Sequence, residues 1–277
     1  MLDRARSTRG AALMGVCNVT PDSFSDGGRY LEPGAACARV DELLAEGADI
    51  IDIGGESTRP GAGPVSARAQ IGRVIDVVKH AVSRGACVSI DTGEPAVAQA
   101  CLECGAAIVN DASCLRDVDL ARVVAAERAA LILMHTRGTP AEMVGLGRSE
   151  STAYGDVVAD VSREWQEAAA RAFSRGVPRD AIVMDPGLGF AKGAAHSFEL
   201  ISRLGEFVRV VGAPVAVGAS RKSFLKLVDP GAPPVARIGA SIAAALHSVR
   251  AGAAIVRVHD VRATRQALDF DRRTGRG

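Results

Sequence analysis

Leu13-Met-Gly-Val-Cys17 runs directly into Asn18-Val-Thr-Pro-Asp-Ser-Phe-Ser-Asp-Gly-Gly28. An apolar run that ends in Asn, Thr, Pro, Asp, Ser and Gly reads as a buried strand emptying into a turn-rich polar loop. One such loop alone is more often a turn than an active site. Here the arrangement recurs along the chain, and the recurrence decides the fold. Strand-type runs stand at 13–17, 49–53, 86–90, 106–109, 130–134, 181–184, 214–217 and 253–257. Segments 34–46, 66–83, 95–104, 117–128, 153–175, 196–204, 235–251 and 260–270 carry the helical period, with Gly or Pro at many of their ends. Strands alternating with helices call for a parallel sheet. Eight such units in 277 residues predict a (β/α)8 TIM barrel, typically ~250 residues, rather than an open doubly wound sheet.

No linker divides the chain, so residues 11–277 read as one domain after a frayed lead-in at 1–10. With 48% hydrophobic residues the chain can bury a large core unaided. The net charge is +1 with acids and bases interspersed, so no nucleic-acid surface is expected. The apolar runs fall far short of the ~18 residues of a membrane span, so the chain reads as soluble and no membrane partner is expected. Six cysteines, several at apolar positions, fit reduced thiols and a cytoplasmic location. Cys101-Leu-Glu-Cys104 is a lone CxxC inside a helical pattern and makes no metal framework. Only four of the 33 basic residues are lysines, Lys79, Lys192, Lys222 and Lys226, so a lysine inside a motif-like loop draws notice.

The polar residues follow the strands. Asn18, Asp52 with Glu56-Ser-Thr-Arg59, Asp91, Asn110-Asp111, His135, Asp185, Ser220-Arg221-Lys222 and Arg257 with His259 lie within or just after the eight apolar runs. In a barrel those strand ends converge on one mouth. Asp91, Asn110, Asp111 and Asp185 make one side acidic, and Arg59, Arg221, Lys222, Arg257 and His259 make the other basic. A ligand with a hydrogen-bonding heterocycle at one end and a phosphate group at the other suits both. Several residues have a plainer reading beside this one. Asp52, inside Ile50-Ile51-Asp52-Ile53, reads equally as a buried structural acid, Arg221 as the partner of a nearby carboxylate, His135 as a satisfied barrel histidine and His196 as a helix cap. Asp185-Pro-Gly-Leu-Gly-Phe-Ala-Lys192 is poor packing material and reads as functional.

Together, Asn18 to Gly28, Gly54-Gly-Glu-Ser-Thr-Arg-Pro-Gly61, Ser89-Ile-Asp-Thr92, Asn110-Asp111, Met134-His135, Asp185-Pro-Gly187, Ser220-Arg-Lys-Ser223 and Arg257-Val-His-Asp260 resemble the dihydropteroate synthase family over about residues 12–268. The resemblance implies condensation of 6-hydroxymethyl-7,8-dihydropterin pyrophosphate with 4-aminobenzoate, giving 7,8-dihydropteroate and pyrophosphate by a dissociative route. It places the pterin on Asp91, Asn110, Met134, Asp185, Phe190 and Lys222. It places the pyrophosphate on Asn18, Thr58, Arg59, Arg257 and His259, with Mg²⁺ held through Asn18. The aminobenzoate would meet Thr58, Phe190, Ser220 and Lys222, where sulfonamides would compete, and Lys222, Arg257, His259 and Asp91 would carry the chemistry. Thr20 to Phe24 and the stretch from Gly61 to Pro64 would fold over the substrates. A homodimer is also implied. Leu188, Ala191, Ser197 and Ala219 depart from the family's common residues and alter the pocket lining rather than the ionic ring. A pterin-binding paralogue without turnover and a pterin-dependent methyltransferase module stay open as alternatives; the Ser-Arg-Lys and Arg-Val-His pieces favour the synthase.

Overall fold

The computed structural model describes residues 10–20, 33–56, 63, 65–138 and 153–275. Eight parallel strands follow one another around a barrel: β1 (Ala12–Asn18), β2 (Ile50–Gly54), β3 (Cys87–Asp91), β4 (Ile108–Asp111), β5 (Ala130–Met134), β6 (Ile182–Asp185), β7 (Ala216–Val217) and β8 (Ile255–Val258). The sheet runs β6-β5-β4-β3-β2-β1-β8-β7. An isolated parallel bridge between Met184 and Val215 draws β7 beside β6, so the barrel is nearly closed. The outer ring consists of α1 (Pro33–Ala45), α2 (Ala67–Ser83), α3 (Pro95–Glu103), α4 (Asp119–Ala126), α5 (Val157–Ser174), α6 (Ala194–Ser202), α7 (Leu204–Val211), α8 (Ile238–Arg250) and α9 (Val261–Thr274).

Strand side chains alternate between the barrel interior and the helices. Inward positions such as Ala12, Met14, Ile50, Ile108, Ala130, Ile132, Val183, Ala216 and Ile255 form one apolar cluster. Outward positions such as Leu13, Ile51, Ile53, Val88, Ile90, Leu131 and Leu133 join a larger cluster against the helices. The interior is therefore a packed apolar plug below, and it turns polar toward the C-terminal strand ends. Registers set that rim: Asn18 lies beside Gly54, Gly54 beside Asp91, Asp91 beside Asn110, and Met134 beside Asp185.

Several strands end beyond the expected boundaries. The apolar run predicts ends at 17, 90, 109 and 184, whereas Asn18, Asp91, Asp111 and Asp185 are themselves strand residues. A polar side chain at a strand end does not disturb the main-chain ladder, so hydrophobicity ends before the ladder does. The helix expected at 196–204 is two helices, α6 and α7, joined at Arg203. Arg203 bonds Glu199 behind it and Glu206 ahead of it at the joint.

Candidate active site

Strand parity sorts the sequence candidates. With Asn110 pointing inward, Asp111 must point outward; its carboxylate accepts from the Ser113 and Leu115 N–H groups and shapes the following turn. With Met134 inward, His135 turns outward and is fully buried, bonded to Glu164 of α5 at 3.0 Å. Arg221 likewise leaves the mouth to pair with Asp260, its Nε lying 3.0 Å from Oδ2. These three do not join the inner ring. Asn18, Asp52, Asp91, Asn110, Met134, Asp185 and Arg257 hold the inward positions of the upper strands, while Phe190, Ser220, Lys222 and His259 enter from the loops above them.

The centre of the ring is a charge network. The Arg257 Nε donates to Asp52 Oδ2 at 2.6 Å and Nη2 to Asp91 Oδ2 at 2.8 Å, while the Asn110 amide donates to the same Asp52 oxygen at 3.1 Å. Asp52 is fully buried, so the structural reading applies: it fixes the orientation of Asn110 and Arg257 from beneath. Burial raises the Asp91 carboxyl above the usual range, partly offset by Arg257. The division into acidic and basic sides is thus less sharp than the sequence suggests, because Arg257 reaches across into the carboxylates.

Asp185 stands at the end of β6, nearly buried. Its Oδ1 accepts from the Gly187 N–H at 2.7 Å, and its Oδ2 has no hydrogen-bond partner among the described residues. Burial raises this carboxyl too, opposed by Lys222, the Gly187 N–H and Arg257. Asn110 Oδ1 is similarly without a partner there. Two acceptors with spare capacity therefore face the mouth. Lys222, in the loop after β7, donates to the Leu188 carbonyl at 2.6 Å and stands 4.6 Å from the centroid of the Phe190 ring. Burial pulls its ammonium down to about 8. The loop that carries it is set by a buried guanidinium the sequence did not single out: Arg237 donates to the carbonyls of Arg221 at 2.9 Å and Ala232 at 3.0 Å. Ser241 Oγ accepts the Arg221 N–H at 3.0 Å. Arg221 itself takes a left-handed backbone, φ 60, so the loop needs these fasteners.

On the other flank, Ser220 Oγ accepts the His259 backbone N–H at 3.2 Å and lies 3.1 Å from His259 Nδ1. Burial, aided by the Arg257 and Arg221 charges, lowers the His259 ring to about 3, so the ring is neutral at pH 7. Asn18, Arg221 and His259 share a cavity of about 590 Å³ with Arg39 and Arg262. Thr58, Arg59 and the expected covering stretches at 21–24, 61–62 and 64 lie outside the described residues.

A parallel (β/α)8 barrel that gathers carboxylates, an amide and basic side chains at the C-terminal ends of its strands has the architecture of a barrel enzyme. The chain belongs to the pterin binding enzyme family, whose model matches residues 14–259. Within it, the chain is 46% identical over 266 residues to the dihydropteroate synthase of Mycobacterium leprae, covering 92% of this chain and 90% of that one. Among solved structures, Xanthomonas albilineans dihydropteroate synthase with 4-aminobenzoic acid superposes with a TM-score of 0.87 at 38% identity, over 98% of this chain and 93% of the other. The same organism's enzyme in complex with 7,8-dihydropteroate gives 0.84 at 34%, over 99% and 94%.

Proposed function

We propose that the chain is a transferase of folate biosynthesis that condenses 6-hydroxymethyl-7,8-dihydropterin pyrophosphate with 4-aminobenzoate, forming 7,8-dihydropteroate and releasing pyrophosphate. The observation that carries this reading is the pairing, over one mouth, of Asp185, one of whose oxygens has no donor among the described residues, with Lys222, whose hydrogen bond among them is to a single carbonyl. A pterin edge that presents amino and ring N–H donors beside a carbonyl matches that order of acceptor and donor. Asp185 and Asn110 accept from the N–H edge, Lys222 donates to the carbonyl side, and Met134 and Phe190 pack against the ring. Asp91 closes the far side of the pterin.

The reaction is best supported as dissociative. The bond between the pterin methylene carbon and the pyrophosphate oxygen breaks first, its electron pair leaving with oxygen. The ring then delocalises the cation, and the carboxylates around it favour that charge. The aniline nitrogen's lone pair forms the C–N bond, and its proton passes to solvent. No protein nucleophile is required. We assign Ser220, which accepts the His259 backbone N–H, as hydroxyl donor to Nδ1, the tautomer that leaves the ring proton on Nε2. A neutral His259 therefore offers one N–H to the departing pyrophosphate, next to Arg257 and Asn18; Thr58 and Arg59 complete that set by sequence position. Ser220 and Lys222 also border the aminobenzoate.

Among the described residues no three His, Cys, Asp or Glu side chains cluster as a metal cage. The Asn18 oxygen, close to Gly54 and Asp91 at the rim, is a neutral hard donor. It suits Mg²⁺ held chiefly by phosphate oxygens and water. That ion would supply charge neutralisation for the leaving group.

We further assign a homodimer and a cytoplasmic setting. The exposed Phe198, Leu227, Val228, Val235 and Ile238 around α6 and the start of α8 support the first. Six free cysteines, together with the absence of any helix long and apolar enough to cross a membrane among the described residues, support the second.

Incubation with both substrates and Mg²⁺ tests the reading, with 7,8-dihydropteroate and pyrophosphate measured together. Equal amounts of both are expected. Pterin binding without product would identify a non-catalytic paralogue, and methyl transfer in place of pyrophosphate release would identify a methyltransferase module.

A further inference from the structure

Near the mouth, one buried polar side chain that was assigned no ligand is filled by protein acceptors. Lys192, only 5% exposed, ends the loop after β6. Its ammonium lies 2.8 Å from His135 Nδ1, 3.2 Å from the Gly187 carbonyl, 3.1 Å from the Phe190 carbonyl and 3.4 Å from the His135 carbonyl. Behind it stands a chain of alternating partners. His135 Nε2 meets Glu164 Oε2 at 3.0 Å, and Arg137 grips Glu164 through Nε at 2.9 Å and Nη2 at 2.5 Å. Burial, with Lys192 beside it, lowers the His135 ring to about 4. The ring is therefore neutral, donates to Glu164 through Nε2 and accepts from Lys192 through Nδ1.

The loop this chain holds is not a relaxed turn. Gly187, Gly189 and Ala191 all have left-handed backbones, with φ 65, 78 and 48. A Cβ on Gly187 would stand 2.0 Å from the His135 carbonyl oxygen, so the turn is pressed directly against the end of β5. That turn supplies the Gly187 N–H to Asp185, the Leu188 carbonyl to Lys222 and the Phe190 ring to the mouth. Tyr154 secures its far end, donating to the Ala191 carbonyl at 3.0 Å, and Ser197 Oγ accepts the Gly189 N–H at 3.0 Å.

We propose that Lys192 is a positioning residue for pterin recognition: it pins the turn at 187–190 to the end of β5, so that Asp185 and Lys222 present one fixed pair of contacts to the ligand. The assignment rests on the proposed function above. It gives His135 and Glu164 a task as well, that of orienting the ammonium. A lysine serving stability alone would affect every ligand of the barrel equally. Lys192 touches only the pterin side, and its effect is selective.

The test uses the full chain and two probes, 6-hydroxymethyl-7,8-dihydropterin without phosphate and inorganic pyrophosphate with Mg²⁺. In folded Lys192→Met the pterin dissociation constant rises roughly ten-fold or more, the scale of losing hydrogen bonds to charged groups, while that of pyrophosphate stays within about two-fold. Combined with Asp185→Asn, the two losses of pterin affinity are less than additive, because one acts through the other. Unchanged pterin affinity, equal losses for both probes, or additive losses in the double variant would overturn the proposal. Should Lys192→Met not fold, Glu164→Gln loosens the same chain from its outer end and weakens pterin about three-fold with pyrophosphate unaffected, the scale of one neutral hydrogen bond. Pterin affinity equal to that of the unaltered protein in Glu164→Gln overturns the proposal too. Failure of the unaltered protein to bind pterin sinks the functional reading instead.

Discussion

The loops after β6 and β7 each carry a lysine that burial holds below its ordinary range, and the two differ in what satisfies them. Lys192, lowered to about 7, is surrounded by four protein acceptors. Lys222, lowered to about 8, has among the described residues one carbonyl and an aromatic face. An ammonium offers three protons, so the first is filled by the fold and the second keeps capacity for something that arrives. Saturation, not the size of the shift, separates a lysine that builds a site from one that uses it. Arg237 repeats the first pattern beneath the β7 loop, where among the described residues a buried cation bonds to carbonyls.

The sharpest way to break this comparison is to remove each lysine in turn. Lys222→Met should lower kcat/KM by roughly 100-fold or more, the scale of losing one preorganised donor, with little change in melting temperature. A loss of stability with full turnover would reverse the two assignments. Next in size, Asp185→Asn should weaken pterin binding by about 1.5–3 kcal/mol, the worth of a charge-assisted hydrogen bond, as read by titration. Unchanged affinity would remove Asp185 from the pterin.

Stability against pH sharpens the case for Lys192. Folding lowers its pKa to about 7 from 10.5, so between those values the unfolded chain binds the more protons. Stability from this group therefore rises with pH across that window. Lys192→Met removes the effect, and the melting temperature of the unaltered protein should gain on the variant's as pH is raised through it. A gap that narrows instead would show that the fold favours the ammonium outright. The smallest effect expected is that of Ser220→Ala, which frees the His259 ring to exchange tautomers. It should lower kcat about two- to ten-fold, the range of one ordinary hydrogen bond, with pterin affinity kept.

The barrel was legible because each strand is an apolar run closed by polar residues, a signal repeated eight times. The strand ends were legible only to within one or two residues, since Asn18, Asp91, Asp111 and Asp185 all continue the ladder past the apolar run. Parity was the missing rule: once Asn110 and Met134 point inward, Asp111 and His135 cannot, although all four look alike in sequence. The scarcity of lysine pointed at Lys192 and Lys222 together, without separating them. Their separation depends on His135 and Glu164, brought together from β5 and α5, and on Arg237 at the start of α8. No local pattern announces such partners. The junction of α6 and α7 was hidden for a related reason, as Arg203 holds it through ion pairs on both sides.

The central claim is that one barrel mouth is divided between a pterin flank and a pyrophosphate flank. Arg257 is a poor probe of it, because it anchors Asp52 and Asp91 at the boundary. The direct measurement is a two-ligand titration of Asp185→Asn and His259→Ala, with phosphate-free pterin and with pyrophosphate plus Mg²⁺. The account predicts a crossed result, in which Asp185→Asn weakens only pterin and His259→Ala weakens only pyrophosphate. Equal losses of both ligands in either variant would contradict it.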